Sequence, residues 1–230
     1  MENIQDMSLP NGDNRKVILF TGCTGRLGTF FLEHYRDAYK IVGVARHEPL
    51  FPKDGFEFIR GDISWEAGKI VDAVLHKHGR IDALIHAATS SRWLELKHKL
   101  PSEFNSELRT NLIAPLELSN KMLHYWVKES AEENKKKNRS IIHMGSIAGV
   151  KLYPDSGQGA YASTKAALHM LTKHMASEYI RHGVRVNALA PNSFPRLVSL
   201  ERVCKAIVGY IEGSANGEIT VLDTADEYVI

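Results

Sequence analysis

The stretch VILFTGCTGRLGTFFLEHY, residues 17–35, decides the fold of this chain. An apolar run comes first, and a segment with apolar residues at helical spacing follows it. Three glycines stand between the two, namely Gly22, Gly25 and Gly28. A strand, a glycine-rich turn and a helix N-terminus form an anion site, because the helix offers unpaired N–H groups and glycine lets a pyrophosphate approach closely. A turn whose glycines serve only packing is the alternative interpretation.

Short apolar runs and longer helical patterns alternate along the rest of the chain. The pattern predicts strands at 16–20, 40–45, within 56–63, and at 82–88, 140–145, 185–190 and 218–223, and helices at 27–38, 65–78, 102–128, 160–182 and 199–212. Such alternation favours a parallel sheet that is covered on both faces. The expected fold is therefore a single Rossmann-type, doubly wound α/β sheet of about seven strands with helices on both faces. Ser102, after Pro101, is the expected N-cap of the long third helix.

Length and composition indicate one domain. The 230 residues, of which 43% are hydrophobic, are enough for one core over 16–230, preceded by a flexible polar arm over 1–15. The net charge of +2 argues against a nucleic-acid partner, which usually demands concentrated basic charge. The main basic run, EENKKKNR at 132–139, is interpreted as a solvated loop.

Targeting signals and metal patterns are not found in the sequence. The N-terminus has no apolar signal segment, and no apolar run reaches the roughly 20 residues that would cross a membrane. Two distant cysteines, Cys23 and Cys204, give no disulfide framework, which favours a cytoplasmic location. Histidines such as His76 and His78 lie at spacings that do not share one helical face, so we expect no metal site.

The end of the second predicted strand bears on the choice of nucleotide. In sheets of this kind an acid at this place holds the ribose 2′-hydroxyl of NAD, whereas a cation suits the 2′-phosphate of NADP. This chain has Arg46 there, with His47 beside it, and Glu48 lies further along. Arg26 in the glycine loop is a candidate second cation. The sequence therefore favours NADP over NAD, and an ordinary exposed arginine is the alternative for Arg46.

Tyr161 and Lys165 lie four residues apart, so they share one face of the predicted helix. Tyrosine has a pKa of about 10, and a nearby ammonium favours the phenolate. Lowering the pKa by about 3 units would need roughly 4 kcal/mol of differential stabilisation. Tyr161 could then exchange a proton with an alcohol or carbonyl while hydride moves to or from a nicotinamide. Ser146, at the end of a predicted strand, could hydrogen-bond the substrate oxygen.

Taken together, the motifs TGCTGRLG, ARHE, RGDI, GRIDALIHAAT, NLIAPLEL, HMGSIAG, YASTK and VRVNALAP resemble the short-chain dehydrogenase/reductase family. The resemblance covers nearly all of residues 16–223. It implies a catalytic tetrad in which Tyr161 is the acid/base, Lys165 tunes it and holds the nicotinamide ribose, Ser146 orients the substrate oxygen, and Asn111 anchors a water of a proton relay. The cofactor contacts that residues and resemblance together indicate are Gly22, Thr24, Gly25, Arg26, Leu27, Gly28, Arg46, Asp62, Ile63, Ala87, Ala88, Tyr161, Lys165, Pro191 and Asn192.

The chain departs from the family pattern at four places. Arg26 stands at the middle glycine of the usual loop, HAAT at 86–89 replaces NNAG, and Asn192 follows Pro191 where a glycine is usual. The substrate loop after Pro191 is also short, since only NSFPRLVS at 192–199 precedes the next helix. We therefore expect an open site for a bulky or carrier-tethered substrate, or one that a neighbouring subunit covers.

The expected activity is that of an NADP-dependent carbonyl reductase or alcohol dehydrogenase acting on a small molecule. One alternative is a sugar-nucleotide epimerase or dehydratase, which would usually carry a larger C-terminal domain. The other is a sensor or scaffold that binds NAD(P) without turnover. Family resemblance also implies a homodimer or homotetramer joined through the long helices. The stripe Ala166, Met170, Lys173 and Ser177 could face such a partner or the sheet.

Overall fold

The computed structural model describes residues 14–50, 55–154, 156–224 and 226–230. The predicted arm over 1–15 therefore lies outside the described residues, apart from its last two. No helix in the described ranges is long and apolar enough to cross a membrane.

Eight strands and seven α-helices build the described fold. The strands are β1 (Val17–Thr21), β2 (Lys40–Ala45), β3 (Glu57–Arg60), β4 (Ala83–His86), β5 (Ser140–Met144), β6 (Arg185–Pro191), β7 (Ile219–Leu222) and β8 (Glu227–Val229). The helices are α1 (Arg26–Tyr35), α2 (Ile63–His78), α3 (Pro101–Leu108), α4 (Ala114–Trp126), α5 (Ala131–Lys136), α6 (Gly159–Tyr179) and α7 (Leu200–Glu212).

All strands form one sheet in the order β3-β2-β1-β4-β5-β6-β7-β8. The pairs from β3 to β7 are parallel, and β8 runs antiparallel to β7. The chain moves outward from β1 to β3 and then returns to place β4 on the other side of β1. This reversal opens a crevice at the carboxyl ends of β1 and β4, which is where ligands bind in open α/β sheets. The predicted doubly wound α/β fold is confirmed.

Two apolar layers hold the helices on the sheet. On one face, α2, α4 and α6 contribute Val71, Trp126 and Met175 to a core against β1, β4 and β5. On the other face, α1 and α7 contribute Phe31 and Ile207. The strands between them are near-continuous apolar runs because helices cover both sides. The stripe Ala166, Met170, Lys173 and Ser177 is exposed along α6, so it does not face the sheet.

The sheet has eight strands where about seven are predicted, because the short exposed segment Glu227–Val229 pairs with β7 and its pattern gave no sign of a strand. Two other local predictions are wrong. The third helix starts at Pro101 behind Leu100, so Ser102 lies inside the first turn and is not the N-cap. The run 132–139 is not a loop, since Ser130 caps the short helix α5 and Arg139 is completely buried.

Candidate active site

The glycine loop between β1 and α1 has a separate reason for each glycine. Gly22 has φ +74°, and a methyl group on it would lie 2.7 Å from Cα of Ala88. Gly25 is the N-cap of α1 and offers no side-chain hydrogen bond to the helix, so the first N–H groups have no side-chain cap. A methyl on Gly28 would lie 2.6 Å from Cα of Cys23, which makes Gly28 a packing glycine. Gly28 therefore serves packing, whereas the uncapped helix start behind Gly25 is compatible with the predicted anion site.

A cavity of about 240 Å³, here called the glycine-loop cavity, lies in the crevice beside β1 and β4. The ends of four strands, β1 to β4, supply most of its lining, because parallel strands bring their carboxyl ends to one edge. Eight of the expected cofactor residues line it, namely Gly22, Thr24, Gly25, Arg46, Asp62, Ile63, Ala87 and Ala88. The helix N-terminus of α1 therefore opens beside a concave site of mixed polarity.

Arg46 and Asp62 differ in their freedom to contact a ligand. Asp62 is the N-cap of α2, and its Oδ1 accepts a hydrogen bond from the Ser64 N–H at 2.9 Å. Arg46 is exposed and has no partner among the described residues, and His47 lines the same cavity. The cation at the end of β2 is therefore free to bind an anion, whereas the carboxylate after β3 is already engaged with the backbone.

A second cavity of about 870 Å³ contains Ser146 and Tyr161, and we call it the Ser146–Tyr161 cleft. Pro191 and Asn192 line it as expected. Thr89 lines both cavities, so the two are neighbours. Arg26 also lines the cleft and not the glycine-loop cavity, so the structure does not place it beside Arg46 as a second cation.

Ser146 and Tyr161 meet on the wall of this cleft. The Oγ atom of Ser146 accepts a hydrogen bond from the Ala148 N–H at 3.2 Å, which leaves the serine hydroxyl hydrogen free to be donated. Burial raises the pKa of Tyr161, and hydrogen bonding from the side chains of Ser146 and Thr89 only partly opposes the rise. Lys165 is not among the groups that shift the pKa of Tyr161 here, so in this arrangement the phenol keeps its proton at neutral pH. That Lys165 tunes Tyr161 once a nicotinamide is bound stays a prediction.

Lys165 lies beneath Tyr161 and does not line either cavity. Its ammonium is 5.6 Å from the centre of the tyrosine ring, and Nζ donates a hydrogen bond to the Met144 carbonyl at 2.7 Å. Burial lowers the pKa of Lys165 to about 7. The lysine therefore changes charge near neutral pH, which explains why it does not act on Tyr161 as a permanent cation.

Asn111 lies in a π-helical turn, Arg109–Ile113, between α3 and α4. Its Oδ1 accepts hydrogen bonds from Thr89 Oγ1 and Ser90 N–H, and its Nδ2 donates to Ser90 O and Thr164 Oγ1. All four hydrogen bonds of the amide are thus made. The side chain therefore ties the loop after β4 to α6, and the water anchor that the resemblance implies for Asn111 stays a prediction.

The remaining two expected cofactor residues are interior. Leu27 is buried in the core under α1, and Gly28 packs against the glycine loop, so neither lines a cavity. Sequence reasoning missed Thr89, which touches both cavities and Tyr161, and it missed Arg196 in the cleft. The only available signal was the position of Thr89 directly after the predicted strand 82–88, because a lone threonine or arginine has no pattern.

The short substrate loop is ordered and forms one side of the cleft. Residues 192–197 line it, and Asn192 Nδ2 donates a 2.8 Å hydrogen bond to Asp223 Oδ1. Asn192 therefore anchors this segment to the end of β7. Tyr161 stays half-buried under this arrangement, so the segment forms a wall and does not close over the tyrosine.

The comparisons with known proteins agree with this geometry. The family model described as short chain dehydrogenase matches residues 16–195. The chain belongs to the short-chain dehydrogenase/reductase family, as its motifs indicate.

Two curated relatives of the chain carry names of different kinds, one naming a reaction and the other only a protein. The chain is 30% identical over 123 residues to the 3-oxoacyl-(acyl-carrier-protein) reductase FabG of Thermotoga maritima, covering 54% of this chain and 46% of that protein. It is 29% identical over 201 residues to protein FixR of Bradyrhizobium diazoefficiens, covering 76% and 66%. The chain thus spans between about half and two thirds of the length of these curated relatives.

Solved structures share the fold. A short chain dehydrogenase from Leptospira borgpetersenii with bound NAD+ superposes with a TM-score of 0.81 at 22% identity, over 97% of this chain and 98% of that one. ElxO with NADP bound gives a TM-score of 0.77 at 22% identity, over 91% and 98%. At this identity the likeness concerns the fold, and the first of these structures contains NAD+ whereas the second contains NADP.

Proposed function

We propose that this protein is an NADP-dependent carbonyl reductase or alcohol dehydrogenase. The observation that carries the proposal is the pairing of Ser146 and Tyr161 on one cleft wall, next to a cavity that opens on a glycine-rich helix N-terminus. A protein that only binds a nucleotide has no need for a buried tyrosine and lysine beside that site.

The residues of the glycine-loop cavity fit a dinucleotide phosphate. The N-terminus of α1 has no side-chain cap, and Gly22 and Gly25 leave the backbone open to a pyrophosphate. Arg46, which has no partner in the described ranges, would hold a 2′-phosphate of the ribose. When bound, the nicotinamide supplies or accepts the hydride.

Tyr161 serves as the proton donor in the reducing direction, because its raised pKa keeps the phenol protonated. Ser146 would turn its hydroxyl hydrogen from Tyr161 to the substrate oxygen and stabilise the charge that develops there. Lys165 can take or release a proton near pH 7 behind the tyrosine. Asn111 fixes the loop that carries Thr89, and so positions the groups around Tyr161.

The cofactor is tested by titrating the protein with NADPH and NADH while nicotinamide fluorescence is recorded. We expect NADPH to bind more tightly than NADH, and Arg46→Ala to weaken NADPH at least tenfold with little effect on NADH. The exposed Arg181, at the other end of the sheet, gives the control variant Arg181→Ala. A preference for NADH would contradict the role of Arg46, and no binding of either would favour a scaffold.

Turnover is tested with a panel of neutral ketones and diketones. Tyr161→Phe should lower kcat by about 10²- to 10⁴-fold while the Kd for NADPH stays unchanged, because general acid catalysis contributes roughly that factor. Binding of NADPH without turnover across the panel would favour the sensor interpretation. The exposed stripe on α6 fits a homodimer or homotetramer, and light scattering that returned the 25.8 kDa monomer would exclude it.

A further inference from the structure

We propose that the Ser146–Tyr161 cleft takes an anionic carbonyl compound with a bulky apolar body, such as an aryl oxo acid. This inference rests on the proposed reductase function and deepens it by naming the substrate class. It depends on two features of the cleft, an apolar rim and a pair of unpaired arginines.

The rim is formed by large apolar side chains that water reaches. Trp93 is 61% exposed, Leu197 43% and Tyr153 38%, and all three line the cleft. They come from three separate segments, since Trp93 follows β4, Tyr153 follows β5 and Leu197 follows β6. An apolar ligand that covered these side chains would remove their exposed surface from water, which is favourable. The rim therefore favours a ligand with an aromatic or branched body.

The cations are Arg26, at the first turn of α1, and Arg196, in the segment after β6. Both are exposed, and neither has a hydrogen bond or ion pair among the described residues. Within the described lining of the cleft no side chain is acidic. A cleft with one sign of charge concentrates ligands of the other sign, and a guanidinium can bind a carboxylate through two parallel hydrogen bonds.

Position separates the roles of the two arginines. Arg26 belongs to the glycine loop, so it also lies near the place where a pyrophosphate would bind. Arg196 shares its segment with Leu197, on the wall that faces the substrate. The carboxylate of the ligand is therefore assigned to Arg196. The apolar body of the ligand then lies against Trp93 and Tyr153, and its carbonyl oxygen lies at Ser146 and Tyr161.

The reaction balances with the groups already named. The carbonyl carbon gains a hydride, which NADPH bound in the glycine-loop cavity supplies, and the oxygen gains the phenolic proton of Tyr161. The products are the hydroxy acid, NADP+ and a phenolate that regains its proton from solvent. The carboxylate does not react, so it acts only in binding.

The test uses one matched pair of ligands, 4-oxo-4-phenylbutanoate and its methyl ester, which differ in charge but keep the ketone and the phenyl ring. We expect kcat/KM for the acid to exceed that for the ester at least tenfold. In Arg196→Gln this ratio should fall to about 1, mainly through KM. Arg181→Gln, which changes an exposed arginine away from the cleft, should keep the wild-type ratio. Calorimetry of acid binding in the same proteins gives a readout that does not need turnover.

Each outcome decides the proposal. A wild-type ratio near 1, or a high ratio that survives in Arg196→Gln, overturns it. If neither compound is reduced, weaker acid binding in Arg196→Gln supports the assignment, and absent or unchanged binding overturns it. Failure of the proposed function itself is recognised separately, since it would show as no NADPH binding or as no reduction of any neutral diketone.

Discussion

Lys165 is a buried cation with only a carbonyl as its hydrogen-bond partner in the described structure. Its pKa falls from the usual value near 10.5 to about 7 because burial disfavours the charged form. Three further titratable groups lie within electrostatic reach, namely His86 from β4, His143 from β5 and His169 from α6. None of them is an acid, so nothing in this group restores the charge of the lysine.

The lysine should leave a signature in stability. Between pH 7 and pH 10 the unfolded chain binds a proton at Lys165 that the folded chain lacks, so the free energy of unfolding falls as the pH is lowered through this window. From pH 9.5 to 7.5 the wild type should lose about 2 kcal/mol more than Lys165→Met. Urea unfolding of both proteins at the two pH values measures this. Identical pH dependence would mean that the lysine stays charged in the fold.

At the residue scale the sequence predicted where residues lie on the sheet better than it predicted their protonation or hydrogen bonding. Gly22, Arg46, Ala87, Ser146 and Pro191 all lie at carboxyl ends of strands, as their places after apolar runs indicated. The raised pKa of Tyr161 and the fully engaged amide of Asn111 could not be predicted in this way. Both depend on which distant segments cover these side chains, and a local pattern carries no such information.

Elements are tied together at the amino end of the sheet by Asp82, just before β4. Its Oδ2 accepts the Val17 N–H of β1 at 2.8 Å, and its other oxygen pairs with Arg139, just before β5. Both side chains of this ion pair are buried. A single carboxylate thus sets the relative height of three neighbouring strands.

Removal of this carboxylate should be costly. Asp82→Ala leaves the buried guanidinium of Arg139 with the Ile81 carbonyl and with Glu129, a half-exposed carboxylate at 3.5 Å, so we expect a loss of about 3–5 kcal/mol in the free energy of unfolding. The exposed pair Lys135–Glu132 gives the control, because Glu132→Ala should cost about 0–1 kcal/mol. Chemical denaturation compares the two, and the double variant Asp82→Ala/Arg139→Met should recover part of the loss. Equal costs for both single changes would argue against this role.

The predicted boundaries of the elements are wrong where a charged stretch of sequence is helical or buried in the structure. The charged run 132–139 resembles a loop, yet Ser130 caps a helix over it and Arg139 enters the core to meet Asp82. That partner lies far away in sequence, so composition alone could not identify it. The long helical region was predicted correctly as helix, but the π-helical turn at Arg109–Ile113 gives no signal in hydrophobic periodicity.

At the scale of the whole molecule, three buried histidines lie close together where β4, β5 and α6 meet, and their lowered pKa values keep them neutral. His86 and His143 are opposite each other on β4 and β5, with ring centres 5.0 Å apart, and His169 lies above β5 on α6. Burial lowers the pKa of His143 to about 3 and that of His169 to about 4, and it also lowers the pKa of His86 well below its usual value of 6.5. Each stays neutral in the fold where the unfolded chain is protonated.

Acid should therefore destabilise the protein early. Below pH 6.5 the unfolded state binds protons that the folded state does not bind. The free energy of unfolding therefore falls by up to about 1.4 kcal/mol per pH unit for each histidine, until the pH reaches the pKa of that histidine in the folded state. Between pH 7.5 and pH 5.0, His143→Asn should lose about 2 kcal/mol less than the wild type. The exposed His98 gives the control, and His98→Asn should keep the wild-type pH dependence. Thermal unfolding across this range is the measurement.

The order of the strands belongs to the molecule as a whole. Periodicity predicted that a parallel sheet exists, because alternating elements need covered faces, but it contains no information on which strands are neighbours. That order depends on contacts between segments that are far apart in sequence, and it places β1 beside β4 to form the crevice.

β8 adds three exposed side chains and no core, yet it hydrogen-bonds along β7, whose four residues are all buried. Without it the backbone groups of β7 would be open to any other extended chain. The tendency of the molecules to associate therefore depends on Glu227–Val229 more than folding does. A change that removes or displaces Glu227–Val229 would expose the edge of β7. The molecules would then associate with one another while the fold itself stayed intact.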